Sequence, residues 1–187
     1  MHPEAAVRSG RCPADIVELA SRRDCEPELE ALGAQRGWRL PELGRSSVAP
    51  GRIALSVRPG RWLLLSVAAA PGERAAAWAQ HCAGLGAAVD LSSGLAALWL
   101  AGPPWREVLA RGCRLDLHPR EFPAGHAAAT IMAQVSVSLV ALSSGVLILT
   151  PSTTARHFQE WLAHAAGPFQ FEALPAVSFA NLCGDPS

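Results

Sequence analysis

The chain contains no lysine and no tyrosine, and all 16 of its basic residues are arginine. Sixteen acidic residues bring the formal net charge to zero, so no global field draws the chain to nucleic acid or to an anionic membrane surface. Aromatic residues make up only 6%, and no basic patch interleaves with them, which argues further against nucleic acid. An arginine-only set is what a GC-rich coding sequence produces; it also suits protein interfaces, where the guanidinium fork pairs with carboxylates. The five cysteines (Cys12, Cys25, Cys82, Cys113 and Cys183) are odd in number, irregularly spaced and free of any C-x-x-C. That pattern argues against a disulfide framework or a zinc site and leads us to expect reduced thiols in a cytoplasmic protein. G-x-S-x-G, H-E-x-x-H and P-loop patterns are missing. Gly84-Leu85-Gly86 lacks the third glycine and follows a helical pattern rather than a strand, so a dinucleotide site is not expected. The N-terminal stretch has no apolar core and carries Glu4, unlike a secretory leader.

Charge is also scarce along one part of the chain. Beyond Gly125 only Arg156, Glu160, Glu172 and Asp185 are charged, leaving 28 of the 32 charged residues before it. Such a domain surface is expected to need a cover, which points to a partner chain. Residues Ala127 to Ala155 carry no charge at all, yet they do not read as a membrane span. Gln134, Ser136 and Ser138 alternate with Val135, Val137 and Leu139, the period of a strand, and Ser143-Ser144-Gly145 breaks the run as a turn.

Half of the residues are hydrophobic, and 187 residues suit one globular domain with terminal arms. We read residues 1–34 as an N-terminal arm, 35–167 as the folded domain and 168–187 as an apolar C-terminal tail. Within the arm, Ala14 to Arg22 and Pro27 to Leu32 are expected to form short helices, with Ile16, Val17, Leu19 and Ala20 as an apolar stripe. The charged cluster from Arg22 to Glu30 reads as a solvated face. Arg52 to Val57 and Trp62 to Val67 read as a hairpin about Pro59-Gly60. A helix follows from Pro71 to about Cys82. Val89 to Leu91 and Ala96 to Leu100 read as strands around a Ser-Ser-Gly turn. Gly102-Pro103 opens a helix whose inner face is Trp105, Val108 and Leu109, and Gly112 ends it. Thr130 to Leu142 and Val146 to Thr150 read as a second hairpin. A last helix, capped by Ser152, Thr153 or Thr154, places Phe158, Trp161, Leu162 and Ala165 on one side before Gly167-Pro168. The tail, from Phe169 to Leu182 with Pro175 and Pro186, either folds back on the domain or lies along a partner.

One internal echo stands out. Arg61 to Gly84 and Gly145 to Gly167 share a plan of strand, proline-marked turn and helix, ending Trp78-Ala-Gln-His81-Cys-Ala-Gly84 and Trp161-Leu-Ala-His164-Ala-Ala-Gly167. The echo predicts an α+β fold of duplicated strand-strand-helix units, with antiparallel sheets and helices packed on one side.

Candidate chemistry is sparse. His81 and His164 sit near helix ends, where a cation complements the dipole. Asp116, His118, Arg120 and Glu121 form the densest polar cluster, just after Cys113. A Cys113–His118 nucleophile pair is one reading; a rigid, proline-bounded connector whose side chains satisfy backbone groups is the other. Trp62, Trp99 and Trp161 are expected in the core. Trp38 and Trp105, in more polar company, are candidate interface anchors, and Trp105, Arg114, His118 and Arg120 are the candidate interface residues. No catalytic, cofactor-binding or metal-binding residue is assigned.

The order D-L-S-S-G from Asp90, then A-L-W-L-A-G-P, then E-V-L-A-R-G-C-R-L-D-L-H-P-R-E-F-P-A-G resembles the gamma subunit of heterotetrameric sarcosine oxidase. The similarity runs from about Trp38 to Gly167 and is dense again at L-I-L-T-P and W-L-A-H-A-A. It implies a subunit of an oxidoreductase acting on CH–NH bonds whose own chain carries no active site and no cofactor. The implied partners are alpha, beta and delta subunits. FAD, FMN, NAD, tetrahydrofolate and zinc would lie on those chains. The implied complex demethylates an N-methyl amino acid such as sarcosine, passes the one-carbon unit to tetrahydrofolate and reduces oxygen to peroxide. The gamma subunit is similar in turn to the folate-binding fold of the glycine-cleavage T-protein, a duplicated α+β unit. T-proteins place a catalytic Asp in the strand that this chain fills with Gln134-Val-Ser-Val-Ser-Leu139, where no carboxylate stands. The alternatives are a stand-alone folate-binding or aminomethyltransferase-like protein, and the equivalent subunit of an N-methylglutamate dehydrogenase.

Overall fold

A computed structural model describes residues 7–183. The expectations for Glu4 and the first residues of the arm, and for Pro186, fall on residues outside that range. The chain divides into two compact units. The first strand, β1 (Val7–Arg11), belongs to the C-terminal unit. The N-terminal unit then takes β2 (Asp15–Ser21), α1 (Glu26–Gln35), β3 (Arg45–Ala49), β4 (Arg52–Arg58), β5 (Arg61–Ser66), α2 (Glu73–His81) and β6 (Gly86–Asp90). The C-terminal unit follows with β7 (Leu95–Ala101), α3 (Trp105–Ala110), β8 (Ala127–Met132), β9 (Val135–Leu142), β10 (Gly145–Pro151), α4 (Ala155–Ala166) and β11 (Phe171–Leu174). The last helix, α5 (Phe179–Leu182), returns to the N-terminal unit.

The two units run through the same series: strand, helix, three strands, helix, strand. Their sheets are ordered β3-β4-β5-β2-β6 and β8-β9-β10-β7-β1-β11. The second order is the first with β1 inserted between the last two places. The registers match as well. Ala54 pairs with Leu64 and Leu64 with Val17; in the other unit Leu139 pairs with Ile148 and Ile148 with Leu98. Arg61 to Gly84 therefore superposes in topology on Gly145 to Gly167, and the duplication expected from the W-x-x-H-x-A-G echo is present.

Each unit has its own core on the helix-bearing face of its sheet. In the C-terminal unit, alternate residues of the strands (Leu98, Leu100, Val137, Leu139, Val146, Ile148) pack with Trp105, Val108 and Leu109 of α3 and Phe158, Leu162 and Ala165 of α4. The spacing Phe158, Leu162, Ala165, Ala166 puts the buried residues of α4 on one stripe. In the N-terminal unit Val17, Leu19, Ala54, Trp62 and Leu64 meet Leu29 of α1 and Ala75, Trp78 and Cys82 at α2. A side chain such as Phe158, fully buried, contributes about 2–3 kcal/mol through removal from water.

Several expectations are corrected. Ala14 to Arg22 is not a helix: Asp15–Ser21 is a strand between β5 and β6. Its apolar residues, Ile16, Val17 and Leu19, are buried on both faces of the sheet, so the stripe read at helical spacing arose from a two-sided strand. The arm of residues 1–34 thus dissolves from Val7 on: β1 and β2 lie inside two sheets. Thr130 to Leu142 is not one strand. It folds back at Ala133-Gln134, both at positive φ (51° and 64°), a two-residue hairpin turn without the Asn-Gly signal such a turn usually carries. The strands on either side of Ser92-Ser93-Gly94 do not pair with each other; β6 pairs with β2 and β7 with β1 and β10. The tail is folded: β11 pairs in parallel with β1, and Phe179, Leu182 and Cys183 are buried. The scarcity of charge after Gly125 has an internal cause. Nearly all of β9 and β10 is buried, on both sheet faces, so the lack of charge there does not by itself require a partner.

Candidate functional site

The polar cluster after Cys113 forms a rigid connector between α3 and β8. Asp116 Oδ1 accepts the His118 N–H at 2.8 Å, the turn that a short carboxylate makes with a backbone two residues on. His118 Nδ1 accepts the Arg120 N–H at 3.2 Å, and the His118 carbonyl accepts the Glu121 and Phe122 N–H groups, each at 2.9 Å. Leu117 and Phe122 turn inward to the core. From below, Arg106 Nη1 donates to the Leu117 carbonyl at 2.5 Å and the Phe122 carbonyl at 2.9 Å, while its guanidinium lies 4.2 Å over the Trp105 ring. Burial lowers the Arg106 pKa from its ordinary value, yet an arginine remains a cation at any ordinary pH.

These bonds decide the chemistry. An imidazole that accepts at Nδ1 is not available there as a base. Cys113 is half-buried, its backbone bridged to Met132 beside β8. The cluster therefore spends its polar atoms on backbone groups, and the Cys113–His118 nucleophile pair is not assembled. Of the candidate interface residues, Arg114, His118 and Arg120 are exposed on this connector. Trp105 is not a surface anchor. It is 7% exposed and packs in the core, with the guanidinium of its polar neighbour Arg106 lying over its ring. Trp38, 8% exposed, is likewise in the core of its unit. Trp99 and Trp161, expected to be buried, are only partly so.

The two echo histidines have separate roles. His164 Nδ1 bonds the Glu160 carbonyl of its own helix at 2.8 Å. His81 meets the Arg36 guanidinium with both ring nitrogens, Nδ1 at 3.0 Å. Among the described residues no cluster of three His, Cys, Asp or Glu is placed to hold a metal, and no helix is long and apolar enough to cross a membrane.

A broad concavity lies elsewhere. A groove of about 1000 Å³ in the N-terminal unit runs between the end of α1 and the edge strand β3. Trp38 forms a wall, Ser47 and Ala54 form part of the floor, and Arg39, Arg45 and Arg52 reach it. Arg52 is fixed: it lies 5.3 Å over the Trp38 ring and donates to the carbonyls of Arg36 (3.2 Å) and Gly37 (3.0 Å). Gly37, at φ 73°, leaves the room; a Cβ there would meet Arg52 Nη1 at 2.8 Å.

The family model for the sarcosine oxidase gamma subunit family matches residues 30–167. The chain belongs to that family. It is 31% identical over 153 residues to the sarcosine oxidase subunit gamma of Arthrobacter sp, covering 79% of this chain and 72% of the relative. Its fold is similar to a chain of the heterotetrameric sarcosine oxidase from Corynebacterium sp. U-96, solved in complex with pyrrole 2-carboxylate. That match has a TM-score of 0.76 at 26% identity, over 93% of this chain and 90% of the other. The glycine cleavage system aminomethyltransferase T from Bartonella henselae shares the fold at a TM-score of 0.66 and 18% identity, over 92% of this chain and 49% of that one. Family and fold thus agree with the resemblance read from residues 90–125.

Ser136 and Ser138, in the strand where a T-protein aspartate was sought, project beside Ile131 and Ala129 on β8. A hydroxyl there supplies no proton acceptor at neutral pH. Sequence reading missed the groove. The signal for it was a second, fainter echo: Leu40-Pro-Glu-Leu-Gly44 and Glu121-Phe-Pro-Ala-Gly125 each end in a positive-φ glycine (78° and 85°) just before an edge strand.

Proposed function

We infer that this chain is the gamma subunit of a heterotetrameric sarcosine oxidase and acts by assembly rather than by chemistry of its own. The observation that carries the reading is the family match across residues 30–167. The fold likeness to a chain of the Corynebacterium oxidase over nine-tenths of both chains supports it. The connector adds a local argument. Asp116 and His118, its best candidates for acid–base work, are engaged in holding backbone, and a general base must be free to reach the proton it takes.

In this reading the complex oxidises the N-methyl group of sarcosine by two electrons, releasing glycine. The one-carbon unit passes to tetrahydrofolate and the electrons pass through flavin to oxygen, giving hydrogen peroxide. FAD, FMN, NAD, tetrahydrofolate and zinc reside on the alpha, beta and delta partners, and the exposed connector carrying Arg114, His118 and Arg120 is a surface offered to one of them. The test is purification of the tagged chain from its native host with an absorbance spectrum of the eluate. A yellow eluate with larger companion chains and sarcosine-dependent peroxide production is expected. A colourless, partner-free protein would overturn the reading.

A further inference from the structure

The duplication provides an internal control for the groove. Gly44 N donates to the Ser56 carbonyl and Gly125 N to the Ala141 carbonyl, each at the entry to an edge strand. That equivalence makes Ala54 the counterpart of Leu139 and Arg52 the counterpart of Val137. Ser47, paired with Ala54, is the counterpart of Ala128, paired with Leu139. In the C-terminal unit the apolar set is covered: Val137 and Leu139 lie in the core with Leu117 and Phe122 of the chain's own connector. That connector runs from Arg111 to His126. In the N-terminal unit the corresponding link runs only from Arg36 to Gly44. Its Trp38 and Leu40 still bury Ala54 in the core of that unit, but the outer part of the floor, Ser47 and Arg52, has lost its apolar bulk and lines the groove.

A shorter link alone would leave the leucine and valine in place and the floor apolar. This one has become small and polar, and its arginine is braced by Trp38 and two carbonyls. Beside it runs β3, an edge strand whose outer backbone groups have no strand partner among the described residues. Three guanidinium groups (Arg39, Arg45, Arg52) and two carboxylates (Glu30, Glu42) line the space.

We propose that the groove along β3 receives an extended, acidic segment of a partner subunit, which adds a strand to β3 and sets its carboxylates against Arg39 and Arg45. Main-chain pairing to an exposed edge gives affinity, and side-chain pockets give selectivity. Arginine against carboxylate forms charge-assisted, often two-pronged bonds. The inference rests on the assembly reading above and goes beyond it by naming the surface and the chemistry of what it holds.

The test uses the complex co-expressed from its four subunits. Arg39 and Arg45 are exposed, so Arg39→Glu with Arg45→Glu is expected to leave the fold intact, which a thermal melt of the variant checks. The expected result is binding to the other subunits at least about tenfold weaker, with a flatter salt dependence than wild type. Hydrogen exchange at the β3 amides is expected to slow in the wild-type complex relative to the free chain. A complex that forms with unchanged affinity in the double variant, or in which β3 exchanges as in the free chain, overturns the proposal while leaving the assembly reading in place. Failure of the wild-type chain to join any complex overturns the assembly reading itself.

Discussion

Arg106 stacks on Trp105 and clamps the carbonyls of Leu117 and Phe122, so a single half-buried cation closes the connector over the core of its unit. Hydrogen bonds from a charged donor contribute about 1.5–3 kcal/mol. Arg106→Ala is expected to lower stability by about 2–3 kcal/mol in urea unfolding. Arg106→Lys, which keeps the charge but loses the planar fork, is expected to recover less than half of that. Equal stability of all three proteins would show that the clamp is incidental.

The turn at Ala133-Gln134 places two side-chain-bearing residues at positive φ, a conformation that costs an L-residue about 1–2 kcal/mol. Replacing the pair by Asn-Gly relieves that strain, partly offset by the larger freedom of glycine in the unfolded chain. The Ala133→Asn, Gln134→Gly variant is expected to gain about 1 kcal/mol, read as a higher thermal midpoint. A loss of stability would contradict the turn geometry.

Thr150 Oγ1 is buried without a hydrogen-bond partner among the described residues. A buried hydroxyl left unpaired costs about 1–3 kcal/mol. The near-isosteric Thr150→Val is therefore expected to be stabilising by about 1 kcal/mol, whereas Thr150→Ser, which keeps the hydroxyl and opens a methyl-sized void, is expected to destabilise. A Val variant less stable than wild type would mean that the hydroxyl has a partner after all.

Burial pushes the Cys183 thiol up to about 11, above the ordinary thiol value near ~8.5. The folded state thus favours the neutral thiol. Its contribution is fully present below the unfolded pKa and is lost as pH rises toward the folded one, between about 8.5 and 11. Urea midpoints are expected to fall across that window in the wild type and less so in Cys183→Ala, and alkylation of Cys183 at pH 8 is expected to require unfolding. Rapid labelling of Cys183 in the native chain would contradict its burial.

Much of the fold was legible where local pattern and tertiary context agree. The Arg-Pro-Gly-Arg hairpin, the proline-opened helix with Trp105, Val108 and Leu109 inward, and the stripe of α4 all appear as read. Reading failed where context overrules the local signal. Ile16, Val17 and Leu19 satisfy both a helix stripe and a strand buried on two faces, and only the pairing with β5 and β6 decides between them. The turn at Ala133-Gln134 carries no turn residue to announce it. Trp38 and Trp105 looked exposed because they stand beside arginines in the sequence, yet both rings are buried, each with an arginine stacked on it. The connector's role was half legible: Asp116 and His118 bonding backbone was one of two readings, and distances settled it. The groove was hidden because its defining feature is a difference between two halves, Ala54 against Leu139, which no single motif displays.

The most direct test of the account is native mass spectrometry of the oxidase assembled from co-expressed subunits, with and without this chain. The account predicts a four-chain complex containing this chain, and loss of that species when the chain is omitted. A full-mass, fully active oxidase that forms without it, with this chain left free in solution, would contradict the claim that its function is assembly.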